Sequence, residues 1–234
     1  MAHKIAKDPK NTRRAFNSQV VKLYILTRIR YLEPPHQTMK PSRRIQSTHS
    51  PVIGKMLDVL KQAPSDTISL SQGIVFWRPP KLALDSAAAL IQEISTSAYC
   101  PTSGLPNLRE ALKTKIRQEN NLFISDVMVT AGANQAFTNI VISLCDSDDT
   151  VVLFPPYYFN HIMAFQMTGI KNVIFGQRDK INFSPDPVWI EETLSARSAN
   201  VKMIVITNPC NPTGTVVPKS QLCKISEICA KYNC

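Results

Sequence analysis

Residues 201–218 read VKMIVITNPCNPTGTVVP. The run VKMIVIT, 201–207, is apolar enough for a buried strand, and the polar knot NPCNPTG begins at Asn208. Each Asn of the knot precedes a proline, which biases it toward extended geometry and away from helix. The turn thereby fixes the Asn side chains at the edge of a sheet. A fixed amide donor suits a phenolate or carboxylate oxygen. The plainer reading is a turn that only ends a strand.

The same texture reaches back to residue 127. VMVTAG (127–132), TVVLFPP (150–156) and NVIFG (172–176) read as further strands. NQAFTNIVISLC (134–145), YFNHIMAFQMTG (158–169, closing on Gly169), WIEETLSA (189–196) and KSQLCKISEICAKYN (219–233) read as helices. Strands apolar throughout, alternating with amphipathic helices, predict an α/β fold: a mostly parallel sheet with helices on both faces. Upstream, 52–62 and 82–94 carry helical patterns, 67–73 is a short extended segment, and Pro79 and Pro80 make 76–80 a loop. Residues 99–120 are a loop followed by a helix, with Pro106 tolerated in its first turn.

The chain has 234 residues, 44% hydrophobic and 19% charged, which argues against global disorder. No stretch approaches the length of apolar sequence that a membrane span needs. The net charge of +10 is uneven. Residues 1–50 hold 11 Lys/Arg against 2 Asp/Glu, whereas residues 51–234 hold 16 against 15. The body is therefore near neutral, and a nucleic-acid-binding body is disfavoured. Residues 1–50 read as a basic, unstructured extension, with Met39 as an alternative start. Its first 38 residues are Arg-rich and acid-poor, as in an organelle-targeting segment, but poor in Ser. The six cysteines form no CxxC and no zinc spacing, so they read as reduced thiols of an intracellular, cytoplasmic protein. No metal cluster and no G-x-S-x-G elbow occurs. His161 reads as structural or exposed.

Ligands of such sheets lie at the carboxyl ends of the strands. At the first end, TAGANQ (130–135), a strand, a Gly and a helix start offer free N–H groups and a positive dipole end to a phosphate. Gly132 removes the Cβ that would block close approach, and Asn134 or Gln135 could add a donor. By itself such a turn more often binds nothing. The second end, FPPYYF (154–159), presents two tyrosines on a rigid bend. One could stack on a flat heterocycle, or both could be ordinary core aromatics. The third end, NVIFGQRD, shows nothing distinctive, and the fourth is the knot.

In combination these segments resemble the N-terminal half of the class I/II aminotransferases, pyridoxal-phosphate enzymes of fold type I. The parts stand in family order over 52–234: SLSQGIVFWRPP, SAYCPTSGLPNLREAL, VMVTAGANQAF, VVLFPPYYFNHIMAFQMTG and VITNPCNPTG. SQGIVFWRPP and TAGANQAF with PPYYFN carry a narrower likeness, to plant-type aromatic aminotransferases that use methionine as amino donor. The resemblance implies pyridoxal 5'-phosphate as cofactor, amino acid and 2-oxo acid substrates, and a homodimer. It implies that Gly73 meets the substrate carboxylate through its N–H and that Trp77 lines the side-chain pocket. Tyr99 would cross to the neighbouring subunit's cofactor phosphate. Gly132, Ala133 and Asn134 would cradle the phosphate, Tyr158 would stack on the pyridine ring, and Asn211 would hydrogen-bond the phenolic oxygen.

The resemblance also divides the chain. Residues 51–98 correspond to an N-terminal arm and small-domain segment, and 99–234 to the first half of the cofactor-binding large domain. The Schiff-base lysine, the carboxylate against the pyridine nitrogen and the arginine for the substrate carboxylate lie after the knot in the family. They have no counterpart here; Lys219, Lys224 and Lys231 do not match the motif. The expectations are no catalytic lysine in these 234 residues, no activity from them alone, and an aggregation-prone chain with four strands not in one contiguous sheet. Two alternatives stand beside this reading: a non-catalytic partner of a full-length paralogue, and another fold-type-I enzyme such as a C–S lyase.

Overall fold

A computed structural model describes residues 39–73, 75–123, 126–197 and 201–234. The chain divides into two compact units, Met1–Ser42 and Arg43–Cys234. Only residues 39–42 of the first are described, so the reading of residues 1–38 as an extension lies outside the described residues.

The second unit is built on three parallel strands, β1 (Thr150–Leu153), β2 (Asn172–Phe175) and β3 (Val201–Ile204), in the order β2-β1-β3. The register sets Val152 opposite Ile174 on one side and Ile204 on the other. Helices α5 (Ala133–Leu144), α6 (Phe159–Thr168), α7 (Pro187–Arg197) and α8 (Lys219–Tyr232) cover it. Before them in the chain come α1 (Arg43–Ser47), α2 (Val52–Gln62), α3 (Lys81–Leu90) and α4 (Pro106–Asn120). The short α1 lies within the stretch read as unstructured. It rests on α6, where the backbone N–H of His49 donates to Gln166 Oε1 at 2.9 Å.

Strand β1 carries the core because successive side chains point to opposite faces. Val151 and Leu153 pack with Val141 of α5 and Ile162 and Phe165 of α6. Val152 and Phe154 pack with Ile190 and Leu194 of α7 and Ile225 and Ile228 of α8. Each such buried side chain stabilises the fold by about 1.5–3 kcal/mol relative to exposure. All four residues of β1 are buried, the pattern of a central parallel strand rather than a half-wet one. Helix α6 does close on Gly169, at φ +93°, and the N–H of Ile170 then reaches back to Phe165 O at 2.9 Å. That left-handed cap seats Ile170 in the core.

One expected strand does not form. Residues 126–130 are coil, tied by the N–H of Val129 to Ser103 O at 2.9 Å and by Arg109 Nε to Val127 O at 2.7 Å. A strand exists only beside a neighbour, and among the described residues none lies alongside this segment. The expectation that the four strands would not share one contiguous sheet holds for this segment only; the other three are direct neighbours. The extended reading of 67–73 likewise gains no ladder, and α2, α3 and α4 bury no residue fully. Ile68, Leu70, Phe76 and Ile94 stand exposed there. No helix among the described residues is long and apolar enough to cross a membrane.

Candidate functional site

The parallel strands send their carboxyl ends to one side; the loop after β1 and the knot after β3 meet there, and ring contacts link the first of them to α5. One part of the candidate site is the start of α5. Gly132 caps that helix at φ +147° and ψ 170°, a conformation only glycine adopts readily, and the space around its missing Cβ is open. Thr130 Oγ1 donates to Gly132 O at 2.9 Å, and Gln135 Oε1 accepts from the N–H of Ala131 at 2.6 Å. Gln135 is thus committed to the turn itself. The backbone N–H groups of Ala133 and Asn134 make no hydrogen bond among the described residues. They stand at the positive end of a 12-residue helix with no side-chain cap.

The loop leaving β1 separates its two tyrosines. Tyr157 stacks parallel on Phe175, centroids 5.9 Å apart at 6°, and joins the core on the α5/α6 face. Tyr158 instead stands edge-on to His161 at 5.5 Å, and its hydroxyl accepts from Asn160 Nδ2 at 2.8 Å. His161 in turn packs on Phe137 of α5, centroids 4.4 Å apart. One chain of rings therefore links Tyr158 to the first turns of the helix that Gly132 caps. His161, read from the sequence as structural or exposed, is a partly buried packing residue here. Burial holds its pKa below the ordinary value, and its Nδ1 is buried without a hydrogen-bond partner among the described residues.

The knot after β3 is a closed loop. The N–H of Cys210 donates to Thr215 O at 2.8 Å, and that of Gly214 to Cys210 O at 2.7 Å. Its two asparagines differ in a way their sequence does not reveal. Asn208 Oδ1 accepts from the N–H of Val217 at 2.9 Å and closes the loop. The Asn211 amide is exposed and makes no hydrogen bond among the described residues. Asn208→Ala should therefore cost about 1–2 kcal/mol, because it orphans the N–H of the buried Val217. Asn211→Ala should stay within about 0.5 kcal/mol of wild type. Urea melts of the two variants at full length check this, and equal losses would refute the division of labour.

The third strand end, which shows nothing distinctive in sequence, supplies the joint. Arg178 donates to three consecutive carbonyls of the β1 loop, those of Phe154, Pro155 and Pro156, at 2.9, 2.8 and 3.2 Å. It also reaches Cys210 Sγ in the knot at 3.3 Å. Its role depends on contacts 22 to 32 residues away in the chain, so no local pattern announces it.

The remaining candidates stand apart. Gly73 lies in an exposed loop, Trp77 is 63% exposed with its ring edge-on to Phe76, and Tyr99 is fully exposed. No hydrogen bond or ring contact joins them to these loops or to the start of α5 among the described residues.

Residues 65–234 match the family model for aminotransferase class I and II. The aromatic aminotransferase ISS1 of Arabidopsis thaliana is 47% identical over 193 residues, which are 82% of this chain and 49% of that protein. The aspartate/prephenate aminotransferase of Thermus thermophilus is 29% identical over 84% of this chain and 49% of its own length. Among solved structures, the aspartate aminotransferase from Thermus thermophilus with maleate superposes with a TM-score of 0.73 at 27% identity, over 84% of this chain and 52% of that one. BacF from Bacillus subtilis shares the fold, with a TM-score of 0.75 at 20% identity over 84% of this chain and 51% of that one. The chain spans about half the length of the curated relatives it matches.

Proposed function

The chain belongs to the class I and II aminotransferases, a pyridoxal-phosphate-dependent family, and from that premise we propose that at full length the protein moves an amino group between an amino acid and an aromatic 2-oxo acid. The observation that carries the proposal is that two strand-end loops joined through Arg178, and the glycine-capped start of α5 linked to them by rings, each offer what one part of the cofactor needs. When bound, pyridoxal phosphate acts as an electron sink for bonds at the amino acid's α-carbon. The residues here hold and orient it. The unpaired N–H groups of Ala133 and Asn134, at a helix N-terminus, fit a phosphate dianion. Tyr158 offers a ring face, and the unengaged amide of Asn211 offers a donor to a phenolic oxygen. The orphaned Nδ1 of His161, beside Tyr158, fits a polar group that the described residues do not supply.

The narrower reading is an enzyme that takes methionine as donor and phenylpyruvate or indole-3-pyruvate as acceptor, working as a homodimer. It draws support from the likeness to a plant aromatic aminotransferase and from the SQGIVFWRPP and PPYYFN segments. Gly73, Trp77 and Tyr99 belong to that reading as substrate and cross-subunit residues. Their exposure is what residues awaiting a second subunit or a further domain would show. The six cysteines are all unpaired, in keeping with a reducing compartment such as the cytoplasm.

The test is a coupled assay on the full-length protein with pyridoxal phosphate, methionine and phenylpyruvate. The expected products are phenylalanine and the 2-oxo acid of methionine, with aspartate a poor donor. Phenylpyruvate consumed no faster than in a protein-free control would sink the proposal. The 234 residues alone are expected to give no turnover. Measurable phenylalanine from them would overturn that statement while leaving the family reading intact.

A further inference from the structure

We propose that Arg178 is a positioning residue that sets the spacing between Tyr158 and Asn211 across the cofactor site. The proposal rests on the reading above, in which those two residues hold the cofactor ring.

All five N–H groups of an arginine lie in one plane at fixed angles, and here every nitrogen of the guanidinium is engaged. Nε donates to Pro155 O at 2.8 Å and Nη1 to Phe183 O at 2.7 Å. Nη2 serves Phe154 O, Pro156 O and Cys210 Sγ at 2.9, 3.2 and 3.3 Å. No carboxylate pairs with Arg178 among the described residues, so carbonyl dipoles and one thiol surround its charge. The loop it grips has little else to hold it. Pro155 and Pro156 have no N–H, so that stretch cannot donate to a ladder. The three carbonyls have no other donor among the described residues except the Cys210 thiol, 3.8 Å from Pro156 O.

The gripped positions explain why this is more than local bracing. Pro156 lies two residues before Tyr158, and the buried Cys210 directly precedes Asn211. One rigid planar group therefore connects the loop that presents a ring face with the loop that presents an amide. A third connection runs to the 178–185 hairpin, where Arg178 bridges Pro185 and accounts for Phe183 O. If Arg178 were lost, the ladder between β1 and β3 would remain, but among the described residues only the long Cys210 Sγ contact to Pro156 O, at 3.8 Å, would still tie one loop to the other. Lysine, a single point donor, can replace one of these bonds and not the fork.

The test uses the full-length protein and four variants: Arg178→Met, Arg178→Lys, Cys210→Ser and Asn211→Ala. Three quantities are read: the dissociation constant of pyridoxal phosphate from apo protein, the pH midpoint of the bound cofactor's visible absorbance, and the urea midpoint of the apo form. Arg178→Met should weaken cofactor binding about 10- to 100-fold. It should also move the absorbance midpoint in the same direction as Asn211→Ala, because both loosen the donor at the phenolic oxygen. Arg178→Lys should resemble the Met variant, and Cys210→Ser should show a smaller shift of the same sign. A Met variant that melts at lower urea but keeps both cofactor readouts within twofold of wild type overturns the proposal and leaves Arg178 a structural brace. If the Met variant does not fold, Cys210→Ser decides, and unchanged cofactor readouts there overturn it equally. The reading beneath it fails separately: an Asn211→Ala variant with an unmoved midpoint, or a wild type that does not bind the cofactor, removes the site itself and this proposal with it.

Discussion

Replacing Phe154 by alanine in the full-length protein is expected to lower the free energy of unfolding by about 3–5 kcal/mol. Phe154 is 2% exposed and is the first residue beyond β1. Its ring meets Trp189 edge-on at 5.9 Å, packs into the cluster of Ile190, Leu194 and Ile225, and lies 6.0 Å from the Arg178 guanidinium. Truncation removes that apolar area and leaves a cavity whose walls belong to α7, α8 and β3. Those elements are fixed by their own hydrogen bonds and cannot close on it fully. The loss should be read from urea unfolding of the apo form. Phe123→Ala is the matched control, because Phe123 is 64% exposed and its change should stay within about 0.5 kcal/mol. A Phe154→Ala loss under about 1 kcal/mol would mean that this face of the sheet repacks freely, and the rigid platform argued for the strand ends would be gone.

Much of the platform was legible because its signals are local. β1, β2 and β3 are short apolar runs bounded by Gly, Pro and Asn, and α5 to α8 carry their apolar residues at helical spacing. The Asn-Pro steps and Gly132 were legible for the same reason, since proline and glycine restrict or free the backbone wherever they stand. What failed was whatever depends on a distant neighbour. VMVTAG has the composition of a buried strand, yet pairing belongs to two segments, and one segment does not show whether the other lies beside it. Asn208 and Asn211 occupy near-identical local settings, and only the N–H of Val217, nine residues on, tells them apart. Arg178 draws no notice in the sequence, and His161 reads only as structural or exposed, because a charged residue after a strand and a histidine on a helix are ordinary there. Their importance appears when three carbonyls converge on the first and two aromatic rings enclose the second.

Gly132→Ala should weaken pyridoxal phosphate binding at full length by about 10- to 100-fold while leaving pyridoxal itself nearly unaffected. The reasoning separates strain from clash. A Cβ at Gly132 would meet nothing within 4 Å, so the substitution fits sterically. The backbone, at φ +147° and ψ 170°, lies where an L-residue pays about 1–3 kcal/mol of strain. Because the surroundings are open, the turn can relieve that strain by rotating. Rotation re-aims the unpaired N–H groups of Ala133 and Asn134, the two donors proposed for the phosphate. Each 1.4 kcal/mol is a factor of ten in affinity, which sets the expected range. Pyridoxal lacks the phosphate, so the ring contacts proposed for Tyr158 and Asn211 should survive the change. Equal losses for the two ligands would place the phosphate elsewhere and reduce Gly132 to a structural cap. A loss confined to the phosphorylated ligand, with the urea midpoint of the apo form lowered only modestly, would make this turn the anion site of the protein.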